Sequence, residues 1–272
     1  MKPTNCLNTS CSHNHVCGKP DFIGSDEVCT MHYECDLRYV SEEECGLKDK
    51  QKTILNVLVG SKAHKLDNPD SDRDLRGVFL IPTKELLKIN APKVTTNWKE
   101  GDTKEAEDNT MWELGHFMHL ATHCNPTILE VFVAPIVETT DIGDSLRKQF
   151  PRVWNSKGVR DAFIGYGLNQ RKKFLDKKDC RPHKYATAYL RTLVQAYYLL
   201  TFNTLIVDMS QTEEFETLRN FKEGDYTVGE VMQRTYDWED KVRTAYEHNP
   251  DKQTDFDQLN AWLIKIRKGN WD

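Results

Sequence analysis

The chain has 272 residues, of which 38% are hydrophobic and 29% are charged, as expected for one large globular domain or for one domain with attachments. It contains no run of about 18 apolar residues, which excludes a membrane-spanning helix. It also lacks an apolar signal-peptide core, so we expect a cytoplasmic protein without a membrane partner. The net charge of -5 provides no overall positive field, so a nucleic-acid partner would require a local basic patch.

The N-terminal segment, residues 1–50, is rich in cysteine and poor in aliphatic residues. Six of the eight cysteines lie there: Cys6, Cys11, Cys17, Cys29, Cys35 and Cys45. A segment that buries so little apolar surface needs a staple, and thiolates with imidazole are the ligands of structural Zn²⁺. We therefore expect Zn²⁺ bound by Cys6, Cys11, Cys29 and His32, in an arrangement that looks like a short zinc knuckle. The remaining cysteines and histidines leave other ligand sets open, and free thiols in a flexible segment are the alternative.

After this segment the apolar pattern predicts a mixture of strands and helices. Strands are predicted over 53–59 and 74–81, because both runs are short and apolar and end at Gly60 and Pro82. Thr83 is predicted to cap a short helix, and residues 90–107 to form a polar loop with at most one strand. A helix is predicted over 109–123. The run 128–134 fits either a strand or a second helix, and a helix followed by a strand is favoured.

The second half of the chain carries apolar residues mainly at helical spacing. Helices are predicted over 143–150, 158–175, 183–202, 212–221, 227–247 and 254–267, with a small edge strand over 204–207. Thr227 and Glu230 are spaced as a capping box. A strand-rich part followed by a helix-rich part predicts an α+β fold, with a small mixed β-sheet core over 51–140 and a helical part over 141–272.

A glycine–serine pair and two aspartates lie between the predicted strands. Gly60 lets the backbone turn tightly, and the N–H groups there can hold a phosphate together with the Ser61 hydroxyl. Asp72 and Asp74 are two residues apart at the start of a strand, so their side chains should point to one face. Because neighbouring carboxylates repel each other unless a cation lies between them, the pair predicts a Mg²⁺ or Mn²⁺ site for phosphoryl transfer. Taken alone, these residues are equally compatible with a turn and a solvated acidic loop.

With its strand context, this pattern resembles the signature of the DNA polymerase β-like nucleotidyltransferase superfamily. The segment GSKAHKLDNPDSDRDLRGVFLIP is similar to predicted nucleotidyltransferases of bacteria and phages, some of them linked to RNA repair. The later blocks EDNTMWELGHFMHLATHCNPTILEVFVAP, FIGYGLNQ, KYATAYLRTL and FKEGDYTVGEV also match, so the resemblance covers residues 52–267. Members commonly carry an aromatic residue and a glycine where this chain has His64 and Lys65.

The resemblance implies a metal-dependent, NTP-binding enzyme of a bacterial or phage-infected cell. It would transfer a nucleoside monophosphate to a hydroxyl of RNA, tRNA or protein and release pyrophosphate. It also implies a third catalytic carboxylate from a later strand, for which Glu107, Asp108 and Glu113 compete; Asp108 matches best, with a helix cap as its alternative role. Lys184 and Arg191 are candidates for contact with the triphosphate, or basic residues of a surface helix. The alternative function is that of an inactive binding or regulatory protein that keeps the fold.

Overall fold

The computed structural model describes residues 51–69, 71–100 and 107–272, with side chains described at 51–69, 71–96 and 110–272. The expected Zn²⁺ ligands Cys6, Cys11, Cys29 and His32 lie outside these residues. Within the described part of the chain, no helix is long and apolar enough to cross a membrane.

The described residues form a five-stranded mixed sheet. Its strands are β1 (Lys52–Val59), β2 (Asp74–Leu80), β3 (Thr95–Glu100), β4 (Glu107–Glu113) and β5 (Ile136–Thr139). The order across the sheet is β3-β4-β2-β1-β5, in which β2 and β4 run parallel and the other neighbours are antiparallel. The strands predicted over 53–59 and 74–81 are therefore confirmed. The first, β1, contributes Ile54, Leu55 and Val57 to the core, and all three are inaccessible to solvent.

Helices account for most of the rest of the described chain. They are α1 (Gly60–Ala63), α2 (Thr83–Leu86), α3 (Leu114–Thr122), α4 (Pro126–Val131), α5 (Asp141–Arg147), α6 (Phe150–Val153), α7 (Ser156–Leu175), α8 (Pro182–Phe202), α9 (Phe215–Glu223), α10 (Val228–His248) and α11 (Phe256–Gly269), with 3-10 turns at Lys178–Cys180 and Met209–Gln211. Helix α8 packs against α7, α9 and α10, and one continuous apolar core joins these helices to the sheet. The fold is thus α+β with a mixed sheet and a helical C-terminal part, as predicted.

The start of α10 shows the predicted capping box. The Thr227 hydroxyl accepts a hydrogen bond from the Glu230 N–H at 3.2 Å, and the Glu230 carboxylate accepts one from the Thr227 N–H at 2.6 Å. These two reciprocal bonds satisfy donors that the first turn of a helix leaves without intrahelical acceptors.

The helix predicted over 109–123 is wrong in its first third. Strand β4 continues to Glu113, and α3 begins only at Leu114, where the Glu113 carboxylate accepts a hydrogen bond from the Gly115 N–H at 2.7 Å. The prediction failed because Met111 lies at helical spacing from Leu114. The helical pattern of apolar residues therefore extends back into residues that pair as a strand.

The edge strand predicted over 204–207 does not form, because side chains occupy the backbone groups that a neighbouring strand would bind. The Val207 carbonyl accepts a hydrogen bond from His64 Nδ1 at 3.1 Å, and the Ile206 carbonyl accepts one from Gln195 Nε2 at 2.9 Å. Hydrogen bonds from distant side chains therefore keep the β-branched run 204–207 irregular.

Thr83 is also not the cap of its helix. Pro82 occupies the N-cap position of α2, and the Thr83 hydroxyl donates to the Arg267 carbonyl at 2.7 Å. Its role is to hold the end of α11 against the sheet.

Candidate active site

The glycine–serine turn follows directly from the end of β1. Gly60 has φ +72, a left-handed conformation that favours glycine, and it opens the single-turn helix α1. The carbonyls of Gly60 and Ser61 accept hydrogen bonds from the N–H groups of His64 and Leu66 at 3.1 and 3.0 Å, which closes the turn. As the first residues of a helix, Gly60 and Ser61 have N–H groups without an intrahelical acceptor, and such groups can bind an anion.

The two aspartates of the motif lie beside this turn. Asp74 is the first residue of β2 and pairs with Val59, the residue before Gly60. A Cβ atom at Gly60 would overlap the Asp74 carboxylate, so the missing side chain is what allows the turn to approach that carboxylate. Asp72 is exposed and precedes the strand, following a turn in which the Ser71 hydroxyl donates to Asn68 Oδ1 at 2.8 Å. Asp74 therefore lies at the start of β2 beside the turn, and Asp72 lies two residues before it, outside the strand.

Asp108 occupies the corresponding position on the neighbouring strand. The register of the parallel pair β2–β4 places Asp108 opposite Asp74, so Val59, Asp74 and Asp108 stand in one row across three adjacent strands. The alternative role of Asp108 as a helix cap is excluded, because the helix begins at Leu114.

Glu113, one of the competing carboxylates, has a structural role at the other end of β4. It pairs with Phe79 near the end of β2, and its side chain is 2% exposed. Arg267 Nη2 lies 2.6 Å from Glu113 Oε1, so this carboxylate binds α11 to the sheet.

One lysine from the helical part faces the aspartates, and a second lysine lies near it. Lys222, on α9, has its pKa lowered by burial and by the nearby charge of Lys184, while the charges of Asp67, Asp74 and Asp72 act in the opposite direction. Lys222 is thus within electrostatic range of both metal-site candidates and of Lys184, which is exposed near the start of α8. Sequence reasoning identified Lys184 but missed Lys222, although Lys222 lies inside the matching block FKEGDYTVGEV.

Arg191 lies two helical turns further along α8 and has different neighbours from Lys184. Its Nη1 donates to Gln195 Oε1 at 2.9 Å, and its charge lowers the pKa of His64. The structure therefore places Lys184 with the lysine that faces the aspartates, and Arg191 beside a buried histidine behind the glycine–serine turn.

His64 connects the glycine–serine turn to the helical part. It is 4% exposed, donates from Nδ1 to the Val207 carbonyl at 3.1 Å, and accepts a backbone hydrogen bond from Met209 N at 3.2 Å. Its Nε2 lies 3.3 Å from Oε1 of the buried Glu130, whose other oxygen is 3.9 Å from Arg76 on β2.

Burial, followed by the charge of Arg191, lowers the pKa of His64 to about 4, against the raising effect of Glu130. The neutral imidazole has its proton on Nδ1, and the contact with Glu130 therefore contributes no hydrogen bond. Glu130 Oε1 accordingly has no hydrogen-bond partner among the described residues.

The composition of the site suits a hard divalent cation. Asp72 and Asp74 carry carboxylate oxygens, the kind of donor that Mg²⁺ and Mn²⁺ prefer, and the absence of a side chain at Gly60 leaves room beside Asp74. Among the described residues no group of three His, Cys, Asp or Glu side chains forms a metal site, and the Asp108 side chain is not among those described.

Comparisons with known proteins agree with the motif. The chain is 28% identical over 140 residues to an uncharacterised 38.9 kDa protein of the nrdC–mobD intergenic region of Enterobacteria phage T4; the match covers 45% of this chain and 39% of that protein. The chain thus spans about two fifths of the length of this phage relative.

Among solved structures, a nucleotidyltransferase-like protein from Exiguobacterium sibiricum 255-15 matches 79% of this chain and 75% of its own, at 10% identity and a TM-score of 0.28, too low to support an argument. The model of the RNA repair pathway DNA polymerase beta family, RlaP, matches residues 35–265. Since this match covers most of the sequence, the chain belongs to the RNA repair pathway DNA polymerase beta family.

Proposed function

We propose that the protein transfers a nucleoside monophosphate from an NTP to an acceptor hydroxyl and releases pyrophosphate. The observation that carries this proposal is the row formed by Val59, Asp74 and Asp108 at one end of the sheet. It brings the Gly60–Ser61 turn, which we assign to phosphate binding, next to Asp74 and in line with Asp108. Asp72, two residues before Asp74, adds a third carboxylate, and its charge acts on Lys222 as that of Asp74 does.

We assign Asp72, Asp74 and Asp108 as the residues that would hold Mg²⁺ or Mn²⁺. When bound, such ions neutralise phosphate charge and stabilise the attacking and leaving oxygens of an in-line displacement. The carboxylate donors fit this chemistry, because a cluster of like charges is favourable only when cations compensate it.

The remaining residues would bind the triphosphate. The N–H groups and hydroxyl of the Gly60–Ser61 turn would donate to phosphate oxygens, and Ser61 acts as a ligand rather than as a nucleophile. Lys184 and Lys222 would compensate the charge of the departing pyrophosphate from the side of the helical part. Arg191 lies on the same helix as Lys184, two turns further along, and would add its positive charge from behind the glycine–serine turn.

The acceptor is a hydroxyl group in this proposal, and the description of the family as part of an RNA repair pathway makes an RNA end the first acceptor to test. Lys222 supports the binding of an anionic ligand at this site, because a half-buried lysine beside the aspartates is suited to one.

Incubation of the protein with each α-labelled NTP, Mg²⁺ or Mn²⁺, and RNA tests the proposal. We expect label to become attached to the acceptor, with pyrophosphate released in equal amount and only when metal is present. Absence of transfer with every NTP, metal and acceptor, while NTP still binds, would contradict catalysis and favour the inactive binding protein.

A further inference from the structure

The connection between α7 and α8 is strongly positive, whereas the chain as a whole has a negative net charge. Residues 171–184, here called the basic segment, contain seven positive residues: Arg171, Lys172, Lys173, Lys177, Lys178, Arg181 and Lys184. Only two acidic residues, Asp176 and Asp179, lie among them, although the whole chain has a net charge of -5. This is the kind of local basic patch that a nucleic-acid partner of an acidic protein requires.

Most of the positive charges of the basic segment face solvent, and the nearby Asp179 offsets them only in part. Lys172, Lys177, Lys178 and Lys184 are exposed, and within the described part of the chain none of the four forms an ion pair. Of the two acids, Asp179 accepts a hydrogen bond from the Tyr185 hydroxyl at 2.7 Å and lies 3.9 Å from Arg181. The lysines are therefore available to an external anion.

An exposed aromatic ring accompanies these charges. The Arg171 guanidinium carbon lies 5.3 Å from the centre of the Tyr236 ring, and Tyr236 is 42% exposed. Surfaces that bind single-stranded nucleic acid combine positive charge along the backbone with aromatic rings on which bases stack. Tyr236 therefore places beside the basic segment a ring on which a base can stack, which attraction to phosphate alone does not require.

The basic segment also borders the candidate active site. Lys184 is its last residue, and the charge of Lys184 acts on Lys222, which in turn lies within electrostatic range of Asp72 and Asp74. A nucleic-acid strand bound along the basic segment would therefore end near the carboxylates of Asp72 and Asp74.

We infer that the basic segment binds the phosphate backbone of a single-stranded nucleic acid and so presents its terminal hydroxyl to the active site. The inference rests on the proposed function, because it assigns the binding surface of the acceptor. An anionic lipid surface would use the same charges, but it would use neither Tyr236 nor the position beside the aspartates.

Fluorescence anisotropy with a labelled uridine oligonucleotide, without NTP or divalent metal, tests this inference. The test variant combines Lys172→Gln, Lys177→Gln and Lys178→Gln, none of which we assign to catalysis. The control variant combines Lys148→Gln, Lys265→Gln and Lys268→Gln, which removes three exposed lysines elsewhere. Each lost phosphate contact lowers affinity about 5-fold at about 0.1 M salt, so the test variant should bind roughly 100-fold more weakly, with a salt dependence shallower by about 2.

The control variant should bind within about 3-fold of the wild type, and exchange of the same three segment lysines for arginine should preserve binding. Equal losses in the test and control variants would overturn the inference, as would unchanged binding by the test variant. Segment-dependent binding to phosphatidylserine vesicles without oligonucleotide binding would overturn it in favour of a membrane surface. Oligonucleotide binding without nucleotide transfer would contradict the proposed function alone, whereas transfer without oligonucleotide binding would contradict this inference alone.

Discussion

Removal of the buried imidazole of His64 should change how the stability of the protein depends on pH. Its pKa is lowered from 6.5 to about 4, mainly because burial disfavours the charged ring. The folded pKa lies below the unfolded pKa, so the unfolded chain binds the proton more tightly between these values. Stability contributed by the neutral ring is therefore complete above about pH 6.5 and is lost as the pH falls towards 4.

The size of the effect follows from the pKa shift. Each pKa unit corresponds to about 1.4 kcal/mol, so full protonation of His64 should cost the folded state about 3 kcal/mol. His64→Asn provides the comparison, because its amide nitrogen can donate to the Val207 carbonyl from nearly the same position and does not titrate in this range.

Urea denaturation of both proteins at intervals between about pH 7.5 and pH 4 measures the difference. All other titrating groups are shared, so the free energy of unfolding should fall by about 3 kcal/mol more in the wild type than in His64→Asn. Parallel curves for the two proteins would refute the reasoning, because they would show that folding leaves the pKa of His64 unchanged. A wild-type curve that rises relative to that of His64→Asn as the pH falls would also refute it, and would indicate a protonated His64 paired with Glu130.

Three further predictions concern the turn and the cation that faces it. Lys65 has φ +58 where relatives commonly carry glycine, so Lys65→Gly should raise the free energy of unfolding by about 0.5–1 kcal/mol; an unchanged or lower value in urea denaturation would contradict this. Gly224→Ala strains a left-handed position and should destabilise by about 1 kcal/mol, and Gly60→Ala should destabilise by at least about as much, because its Cβ also meets the Asp74 carboxylate. Only Gly60→Ala should also stop nucleotide transfer, because its Cβ displaces the Asp74 carboxylate, and equal transfer by both variants would contradict this. Lys222→Gln should weaken NTP binding about 10-fold or more in calorimetric titration, and unchanged affinity would exclude a phosphate contact.

The sequence predicted the parts of the site that are local in the chain. Gly60, Asp72 and Asp74 follow or precede short apolar runs, so their positions at strand ends could be inferred from residues within a few positions of each other. The resemblance predicts Asp108, and the backbone register places this residue opposite Asp74. The roles of these residues remain predictions.

Other features depend on contacts between distant segments and could not be predicted from local pattern. Lys222 lies 148 residues after Asp74, and no periodicity relates the two positions. The run 204–207 has the residues of a strand, but the side chains of His64 and Gln195 bind its carbonyls. Local propensity failed there because tertiary hydrogen bonds determined the backbone conformation.

The most direct test of the proposed metal site compares Asp74→Asn with Asp251→Asn. The second variant carries the same substitution at an exposed aspartate outside the site. The measurement is nucleotide transfer, together with the rise in melting temperature on addition of Mg²⁺ and NTP. Asp74→Asn should show neither the rise nor the transfer, because the variant lacks one of the carboxylates that would hold the metal. Asp251→Asn should retain both. Transfer by Asp74→Asn at the wild-type rate would contradict the assignment of this carboxylate to the catalytic metal site.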